Sequence, residues 1–497
     1  MIGEAEAIAS DAARREEAKA RRKALKDGRA RERDAARERK AAERAERERA
    51  GKAEAERLRA RAEAARAVLL ERAAELRDLA GGTLRGCFEG LEEPRDPRGI
   101  RHPLPAILSL AAMAILRGKV TMVAVTGWIK VADQDLPEMA GASHRDGNGQ
   151  LTAPSPRTVT RVLGLAGPQP LSDAVGACLA AAVPGWQPGG TGEPGDHDHD
   201  HEKEKEQEKG EEEEEEEPRP RPHLQCDGKA VRGARRPDGS TLFILSAVTA
   251  GVTVADREIP AKTNEVPEIG PMLLELNRRL PLAGWVLTAD AAHTQDDFAE
   301  LTVTRLKAHY VLTVKDNRKN LRAALRGLCW AAARRHVTED KGHGRTERRS
   351  HLVMDAPEEI KAMFPHVKQI AKVIRTRTVR RWKGDGRTWK LVTGTTTETG
   401  YLVTSLTSAD ASPRQIAACI RAHWGIENKS HWIRDTTLRE DACKVRHPAR
   451  ARNLATLRNL TIGLINQSGM TGIAATIRAT EGNNDLISVL GRFTTPL

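Results

Sequence analysis

The chain is poor in aromatic residues, in paired cysteines and in long apolar runs. Only 3% of its 497 residues are Phe, Trp or Tyr, whereas 30% are charged, so not every part is expected to fold. The six cysteines are scattered without a Cys-x-x-Cys pair, which argues against a disulfide scaffold or zinc finger and suits a reducing cytoplasm. No apolar run approaches the ~18 residues of a membrane span, and no signal peptide opens the chain. We therefore expect a soluble, intracellular protein with no membrane partner.

Charge is distributed unevenly along the chain. Residues 1–80 are almost wholly Ala, Arg, Glu and Lys, with 23 basic and 18 acidic side chains, and residues 193–217 hold 15 acidic and three basic ones. Because the first stretch contributes +5 and the second −12 to the overall +12, the remainder carries +19. Such a basic remainder is typical of a protein that binds nucleic acid. The alternative is a surface adapted to solubility.

Composition and pattern divide the chain into five parts. The predicted parts are a charged arm (1–80), a small helical domain (81–186), an acidic low-complexity linker (187–222), an α/β domain (223–467) and a tail (468–497). The arm has strong helix formers but no apolar seam for a coiled coil, so we expect a helical or disordered extension. The alternating His and Asp of the linker could bind a metal weakly, with disorder as the alternative.

Residues 223–467 alternate between strand and helix patterns. Strands are predicted over Leu224–Cys226, Thr241–Thr249, Gly251–Glu258, Gly284–Ala289 and Tyr310–Val314, and helices over Glu265–Leu280, Asp296–Lys307, Asn320–Arg335 and Ala451–Asn466. Three strands, a helix and a fourth strand indicate a ribonuclease-H-like mixed α/β sheet. Residues 343–406 are predicted to be a β-rich insertion into it.

Three acidic residues stand at places where this fold would bring them together. Asp227 lies in the first strand, and Asp290 follows the apolar fourth strand. Glu427 continues the apolar stripe of a helix that begins at Pro413. Ligands gather at the carboxyl ends of strands in open α/β sheets. Taken singly, the two aspartates could be a turn residue and a helix cap, and the glutamate a surface acid.

Three converging carboxylates are suited to divalent cations. Mg²⁺ prefers oxygen ligands and needs only a few carboxylates besides a substrate phosphate. Two ions about 4 Å apart can activate an attacking oxygen and stabilise a leaving one. The pattern therefore predicts metal-dependent chemistry on a phosphodiester backbone.

Six motifs, in order, resemble those of the DDE-type transposases of bacterial insertion sequences, in the group that includes the H-repeat-associated proteins. The motifs are Asp227-Gly-Lys-Ala-Val-Arg-Gly-Ala, Thr263-Asn-Glu-Val-Pro-Glu-Ile, Thr288-Ala-Asp-Ala-Ala-His-Thr-Gln, Tyr310-Val-Leu-Thr-Val-Lys-Asp-Asn, His343-Gly-Arg-Thr-Glu-Arg-Arg and His423-Trp-Gly-Ile-Glu-Asn. The similarity extends over residues 83–467, because Pro-Arg-Gly-Ile-Arg-His-Pro-Leu before the α/β part resembles the usual N-terminal domain of this group.

The resemblance implies an activity, a cofactor and a partner. It identifies Asp227, Asp290 and Glu427 as a catalytic triad that binds two Mg²⁺ ions, for which Mn²⁺ could substitute. The implied reaction is cleavage and strand transfer of double-stranded DNA at the inverted ends of the element and at a target. Pairing two ends implies a homodimer or larger assembly on DNA. The implied location is the bacterial cytoplasm, with association to the nucleoid when DNA is bound.

Eight further residues are candidates for contact with DNA because they flank the acids or lie in the insertion. They are Lys229, Arg232, Lys315, Asn317, His343, Arg345, His423 and Arg434. His423 and Arg434 stand where many wider relatives carry the Arg and Lys of Tyr-x2-Arg-x3-Glu-x6-Lys. His423 could instead be a packed structural residue, and Asn317 a turn former. Trp424 and Trp432 could stack on an unpaired base, with core packing the alternative for Trp424.

Two other functions share these features. A transposase-derived DNA-binding protein without catalysis would not need all three acids. A nuclease on the same fold would leave free DNA ends, whereas a transposase would join them.

Overall fold

The computed structural model describes residues 84–181, 183, 218–261, 263–342, 345–384, 389–470 and 472–490, together with Arg49 and Glu56. The predicted arm, apart from those two residues, most of the predicted linker, and His343 lie outside the described residues. The described residues from Leu84 onward belong to one compact unit, Arg72–Leu497.

Within residues 84–181, five α-helices precede the sheet, in line with the helical region that the sequence predicts there. They are α1 (Leu104–Leu116), α2 (Met122–Lys130), α3 (Asp135–Met139), α4 (Pro156–Leu165) and α5 (Pro168–Ala181). In α1 every residue but Pro105 is buried, as expected of a helix that is apolar on all faces. Ser155 begins α4 by accepting a hydrogen bond from the N–H of Thr158 at 3.2 Å.

One mixed sheet runs through the rest of the described chain. Its strands are β1 (His223–Arg235), β2 (Thr241–Thr249), β3 (Val252–Ile259), β4 (Val286–Ala289), β5 (His309–Val314), β6 (Arg334–Gly342), β7 (Arg345–Asp355), β8 (Gln369–Gly384) and β9 (Trp389–Thr404). The spatial order is β3-β2-β1-β4-β5-β9-β8-β7-β6. β1, β2 and β3 pair antiparallel, whereas β1, β4 and β5 pair parallel. This is the ribonuclease-H-like arrangement that the sequence predicts.

The β-rich insertion continues the same sheet. β9 pairs with β5, and β8, β7 and β6 follow as antiparallel neighbours. The insertion begins earlier than predicted, since Arg334–Gly342 forms a strand rather than the end of a helix or a connection. The predicted helix Asn320–Arg335 is correspondingly shorter and ends at Gly327.

The helices between and after the strands are α6 (Val266–Arg279), α7 (Asp296–Glu300), α8 (Lys319–Gly327), α9 (Glu358–Lys361), α10 (Pro413–Ile426), α11 (Trp432–Thr436), α12 (Pro448–Gln467), α13 (Ile473–Ala479) and α14 (Asn484–Leu490). α10 packs across β1, β4 and β5 and also contacts β6 and β7. The predicted tail therefore contains two short helices, α13 and α14.

Helix α12 is the most deeply buried helix after α1. All fifteen residues from Ala451 to Ile465 are buried. The sequence predicts that this helix packs on the sheet, and it does contact β3 and β1; it also packs against the N-terminal helices α1, α4 and α5. It therefore joins the two parts of the molecule.

None of the described helices is both long enough and apolar enough to cross a membrane.

Candidate active site

The two candidate aspartates lie on neighbouring strands at the same level. β1 and β4 run parallel with Cys226 opposite Ala289, and Asp227 and Asp290 are the next residues along each chain. Asp227 lies within β1, so it is not a turn residue. Asp290 follows the last residue of β4 and also caps a short 3₁₀ turn, since its Oδ1 accepts a hydrogen bond from the N–H of Ala292 at 3.0 Å.

Asp227 lies among other carboxylates. The pKa of Asp227 is raised to about 7, mainly by burial and in addition by the charges of Glu265, Asp290 and Glu427, while a hydrogen bond from the Gly228 N–H opposes the rise. The Gly228 N–H donates to Asp227 Oδ1 at 2.9 Å. The charges of both Asp290 and Glu427 raise the pKa of Asp227, so the three candidate acids lie in the same part of the structure.

Glu427 is presented by an interruption in a long helix. The chain stays helical from Pro413 to Thr436, but residues Glu427–His431 form a π-turn between α10 and α11. Ser412 and Gln415 start the helix with reciprocal capping hydrogen bonds. π-turns within α-helices are frequent at functional sites. The side chain of Glu427 is exposed, on a helix that crosses β1 and β4.

His423 packs against the strand that leads to Asp290. Its Nδ1 lies 3.1 Å from Oγ1 of Thr288 in β4. Burial lowers the pKa of His423 to about 4, opposed by the charge of Asp290 and reinforced by that of His293. An imidazole that is neutral near pH 7 and faces a strand fits the structural role considered for His423 better than a contact with phosphate.

Two predicted DNA contacts do not fit this structure. The Arg434 side chain is 0% exposed and its Nη2 lies 2.8 Å from Oε2 of Glu440, which is also 0% exposed. Lys229 is 7% exposed, and its Nζ lies 2.6 Å from Oδ1 of Asp435. Both cations are held inside the protein by the carboxylates of Asp435 and Glu440, which come after the π-turn. They stabilise the position of β1 and α11 rather than present charge to a ligand.

The other candidate cations are at the surface. Arg232 is 80% exposed, and its N–H donates to Asp441 at 3.0 Å. Lys315 is exposed. Arg345 is 44% exposed, and its Nη2 lies 3.4 Å from Oε2 of Glu347.

The candidate Asn317 has a structural contact. Its Nδ2 donates to the carbonyl of Ala291 at 2.6 Å, so this residue fixes the turn after Asp290.

Sequence reasoning gave no role to three residues that surround the aspartates. His293 Nε2 lies 3.6 Å from Oε2 of Glu265 and 3.9 Å from Oδ1 of Asp290. His431 Nδ1, from the π-turn, lies 3.5 Å from Oδ2 of Asp227. Glu265 and His293 do stand within the family-like motifs, which is the signal that could have identified them. His431 carries no comparable signal, because its position depends on the π-turn.

A basic cleft opens between the insertion and helix α10. We use "basic cleft" for this 1190 Å³ space, in which eight lining side chains are Lys or Arg and one is Asp. Arg345, Arg349, Arg375 and Arg377 line it from β7 and β8. The opposite wall runs along α10 into the π-turn as far as Ser430, so the cleft reaches the segment that carries Glu427.

A buried carboxylate organises the arginines of the basic cleft. Glu347 is 1% exposed and accepts a hydrogen bond from Arg375 Nε at 2.7 Å, which holds the pKa of Glu347 below its usual range. The Arg375 guanidinium also lies 4.9 Å from the ring centroid of Trp424.

Trp424 does not pack in the core. Its side chain is 46% exposed, so the prediction of core packing for this residue is wrong.

The acids fit a divalent cation chemically, although their present spacing does not form a complete site. Among the described residues, no three His, Cys, Asp or Glu side chains lie close enough to hold a metal ion as they stand. The donor set is nevertheless made of mutually repelling carboxylates, and Oε2 of Glu265 is buried without a hydrogen-bond partner in the described structure. A cation would relieve both conditions.

Comparison with known families finds two matches in this chain. Residues 221–464 match the family described as Transposase DDE domain, and residues 85–178 match the family described as DDE_Tnp_1-associated. The first match contains Asp227, Asp290 and Glu427. The second covers the helices that precede the sheet.

Relatives are found in Escherichia coli. The chain is 27% identical over 277 residues to the H repeat-associated putative transposase YhhI of strain K12, covering 53% of this chain and 70% of the relative. It is equally similar to the putative protein YbfL of that strain. It is 28% identical to the putative transposase YncI of strain O157:H7, covering 48% of this chain and 60% of the relative.

A solved structure aligns over 55% of this chain and over 53% of the chain in that structure. It is the cryo-EM structure of the piggyBac transposase synaptic complex with hairpin DNA, at TM-score 0.30 and 14% identity.

Proposed function

We propose that this chain, whose residues 221–464 match the Transposase DDE domain family, is a transposase that cleaves DNA at the inverted ends of an insertion sequence and joins those ends to a target. The observation that supports this most is that Asp227 and Asp290 stand at the same level of the neighbouring strands β1 and β4, and that the charges of Asp290 and Glu427 both raise the pKa of Asp227. A DNA-binding protein without catalysis has no need of three such acids in one place.

Asp227, Asp290 and Glu427 would hold Mg²⁺, with Mn²⁺ able to replace it. Their carboxylate oxygens are the ligands that this cation prefers. Two bound ions supply activation of the attacking oxygen and stabilisation of the leaving oxygen in an in-line displacement. The first such displacement cuts the strand, and the second joins the resulting 3′-hydroxyl to the target.

The residues around the acids keep them in place. Oγ1 of Thr288 lies within hydrogen-bond distance of His423 Nδ1 at 3.1 Å and of His223 Nε2 at 2.8 Å, and these contacts fix β4 two residues before Asp290. Asn317 holds the turn that follows Asp290. Lys229 ties β1 to Asp435, just after the π-turn of Glu427. A site that is held by its neighbours loses less entropy when DNA is bound.

Double-stranded DNA is the partner that the surface charge favours. The basic cleft offers guanidinium groups to a phosphate backbone and leads to the segment that carries Glu427. Two further exposed cations are Arg232, which lies on β1 with Asp227, and Lys315, which comes just after β5. Joining two element ends requires at least two copies of the chain on DNA. The reaction would take place on the nucleoid in the bacterial cytoplasm.

An Asp290→Ala variant tests the proposal. With a DNA fragment that carries the native element ends and Mg²⁺, we expect the wild-type protein to nick the ends and the variant to give no detectable product. DNA binding, measured by electrophoretic mobility shift, should remain within about threefold, because carboxylates do not attract phosphates. Asp296→Ala, an exposed acid on α7, is the matched control and should cleave normally.

The products distinguish the transposase from its alternatives. Joined strands in a supercoiled target support strand transfer, whereas free ends alone indicate a nuclease. Cleavage by Asp290→Ala at the wild-type rate would overturn the proposed triad, and binding without cleavage by the wild-type protein would indicate a catalytically silent DNA-binding protein.

A further inference from the structure

Glu265 lies against the backbone of the strand that carries Asp227. A Cβ added at Gly228 would lie only 2.7 Å from both Cδ and Oε2 of Glu265, so the carboxylate packs directly on the residue after Asp227. The negative charge of Glu265 is also the largest of the charge effects that raise the pKa of Asp227. Two carboxylates that repel one another are thus found at adjacent positions along β1, Asp227 within the strand and Glu265 packed on Gly228.

The immediate surroundings of Glu265 leave buried polar atoms unpaired. Oε2 of Glu265 and both ring nitrogens of His293 are buried and have no hydrogen-bond partner in the described part of the chain. The His293 side chain is 1% exposed, with Nε2 directed at Glu265 from 3.6 Å and at Asp290 from 3.9 Å. Buried polar groups without a partner are uncommon, and a bound ion is one arrangement that would satisfy them.

Ordinary structural roles do not account for this carboxylate. Glu265 precedes helix α6 but makes no capping hydrogen bond; Asn264 accepts from the Val266 N–H instead, at 3.1 Å. The next acid along, Glu268, pairs with Arg257 at 2.8 Å. Among the described residues, no Lys or Arg forms an ion pair with Glu265, in contrast to Glu268.

We propose that Glu265 is a fourth carboxylate of the active site, binding the divalent cation together with Asp227, and that His293 is a positioning residue that orients it. The inference rests on the proposed function, since it concerns the same cation. The cation neutralises the repulsion between Glu265 and Asp227. The His293 Nε2–H then donates to one oxygen of Glu265 and leaves the other for the ion.

A Glu265→Gln variant of the full-length, DNA-free protein tests the inference by metal binding rather than by activity. Mn²⁺ titration followed by electron paramagnetic resonance should show affinity at least about tenfold weaker than wild type. In chelator, the variant should unfold at a higher temperature than wild type, because one of two repelling charges is gone. Mn²⁺ should then raise its unfolding temperature by less than it raises that of wild type.

Glu275→Gln is the matched control on the same helix, since Glu275 is 41% exposed and lies 3.6 Å from Arg257. It should bind Mn²⁺ as wild type does. His293→Leu should weaken Mn²⁺ binding by several fold, and His293→Gln, which keeps an N–H donor, should restore part of the loss.

Two results would overturn the inference. Unchanged Mn²⁺ affinity in Glu265→Gln, with a lower unfolding temperature in chelator, would show that Glu265 serves packing only. This outcome leaves the triad intact, provided that Asp290→Ala still abolishes cleavage. If the wild-type protein binds no Mn²⁺ and still cleaves DNA in chelator, the reaction does not need a divalent cation. Both this inference and the proposed metal-dependent mechanism would then be wrong.

Discussion

Gly228 of strand β1 has two side chains packed closely against it, and both can approach only because glycine has no Cβ. An added Cβ would lie 2.4 Å from Cε1 of Phe243 and 2.7 Å from the Glu265 carboxylate, closer than real Cβ atoms approach. We expect Gly228→Ala to destabilise the protein by about 1–3 kcal/mol through overpacking, and to displace Asp227 enough to reduce cleavage. Urea denaturation and the cleavage assay measure the two effects.

Gly394→Ala is the control for this substitution. Gly394 is an exposed glycine within β9, and an added Cβ there would meet nothing within 4 Å. Its stability should stay equal to wild type or rise slightly. If Gly228→Ala behaves as Gly394→Ala does, the close approach of Glu265 is not required for folding.

Individual site residues were predictable where a local pattern marks them. Asp290 ends an apolar run, and Asp227 opens a motif, so both can be chosen from the sequence. Arg434 matches a basic position in relatives, but only the fold shows that Glu440 returns to bury it. The approach of Glu265 to Gly228 is likewise a tertiary contact, which no spacing along the chain reveals.

The β7–β8 surface and helix α10 form the two walls of the basic cleft, and their charges should set how DNA binding depends on salt. Replacing exposed Arg345 and Arg377 by Gln removes two cations from one wall. Each phosphate contact contributes roughly 0.9 to the slope of log affinity against log salt, so the slope should fall by about 1–2. Titrations of labelled DNA at several salt concentrations measure it.

A double variant outside the cleft controls for the loss of charge alone. Arg278→Gln with Arg326→Gln removes two exposed arginines of α6 and α8. Its salt slope should match that of wild type. Equal slopes for both double variants would mean that DNA does not lie in the basic cleft.

Strands were predicted better than the boundary between a helix and the insertion. Strand β2 has the predicted bounds, because apolar residues and turn signals delimit it. The predicted helix Asn320–Arg335 is too long at its end, since Ala- and Arg-rich sequence has high helix propensity. Arg334–Gly342 instead pairs along its whole length with β7, and this non-local pairing overrides the local preference.

Buried ion pairs fasten the N-terminal helices to the sheet through α12. Asp256 of β3 is ion-paired with Arg452 of α12, accepts a hydrogen bond from Ser172 of α5, and accepts another from Asn459 at 3.0 Å. Burial would raise the pKa of Asp256, but the charge and hydrogen bond of Arg452 keep it below its usual range. One carboxylate therefore joins three elements.

We expect Asp256→Asn to reduce the free energy of unfolding by about 3–5 kcal/mol, because buried Arg452 then lacks a counter-charge. Asp355→Asn, at an exposed acid, should change it by less than about 0.5 kcal/mol. Guanidinium denaturation followed by far-ultraviolet circular dichroism measures both. A loss no greater than that of the control would show that the ion pair does not stabilise this junction.

The overall division into a helical part and a mixed sheet was predictable from composition and periodicity. The way the two parts join was not, because α12 reads as an ordinary Leu- and Ile-containing helix and its buried arginines resemble surface residues in the sequence. The partner of Arg452 is Asp256, which is far away along the chain. The partner of Arg458 is Glu440, which lies in the loop before α12.

The central position of α12 also has a consequence for synthesis on the ribosome. The apolar faces of α1, α4, α5 and β3 are covered by a segment that is translated about 190 residues after β3 and about 270 to 330 residues after the three helices. Until that segment leaves the exit tunnel, these earlier surfaces have nothing to pack against and are open to chaperones or to one another. A nascent chain that stalls before residue 448 should therefore be a target for degradation rather than a partly folded, stable protein.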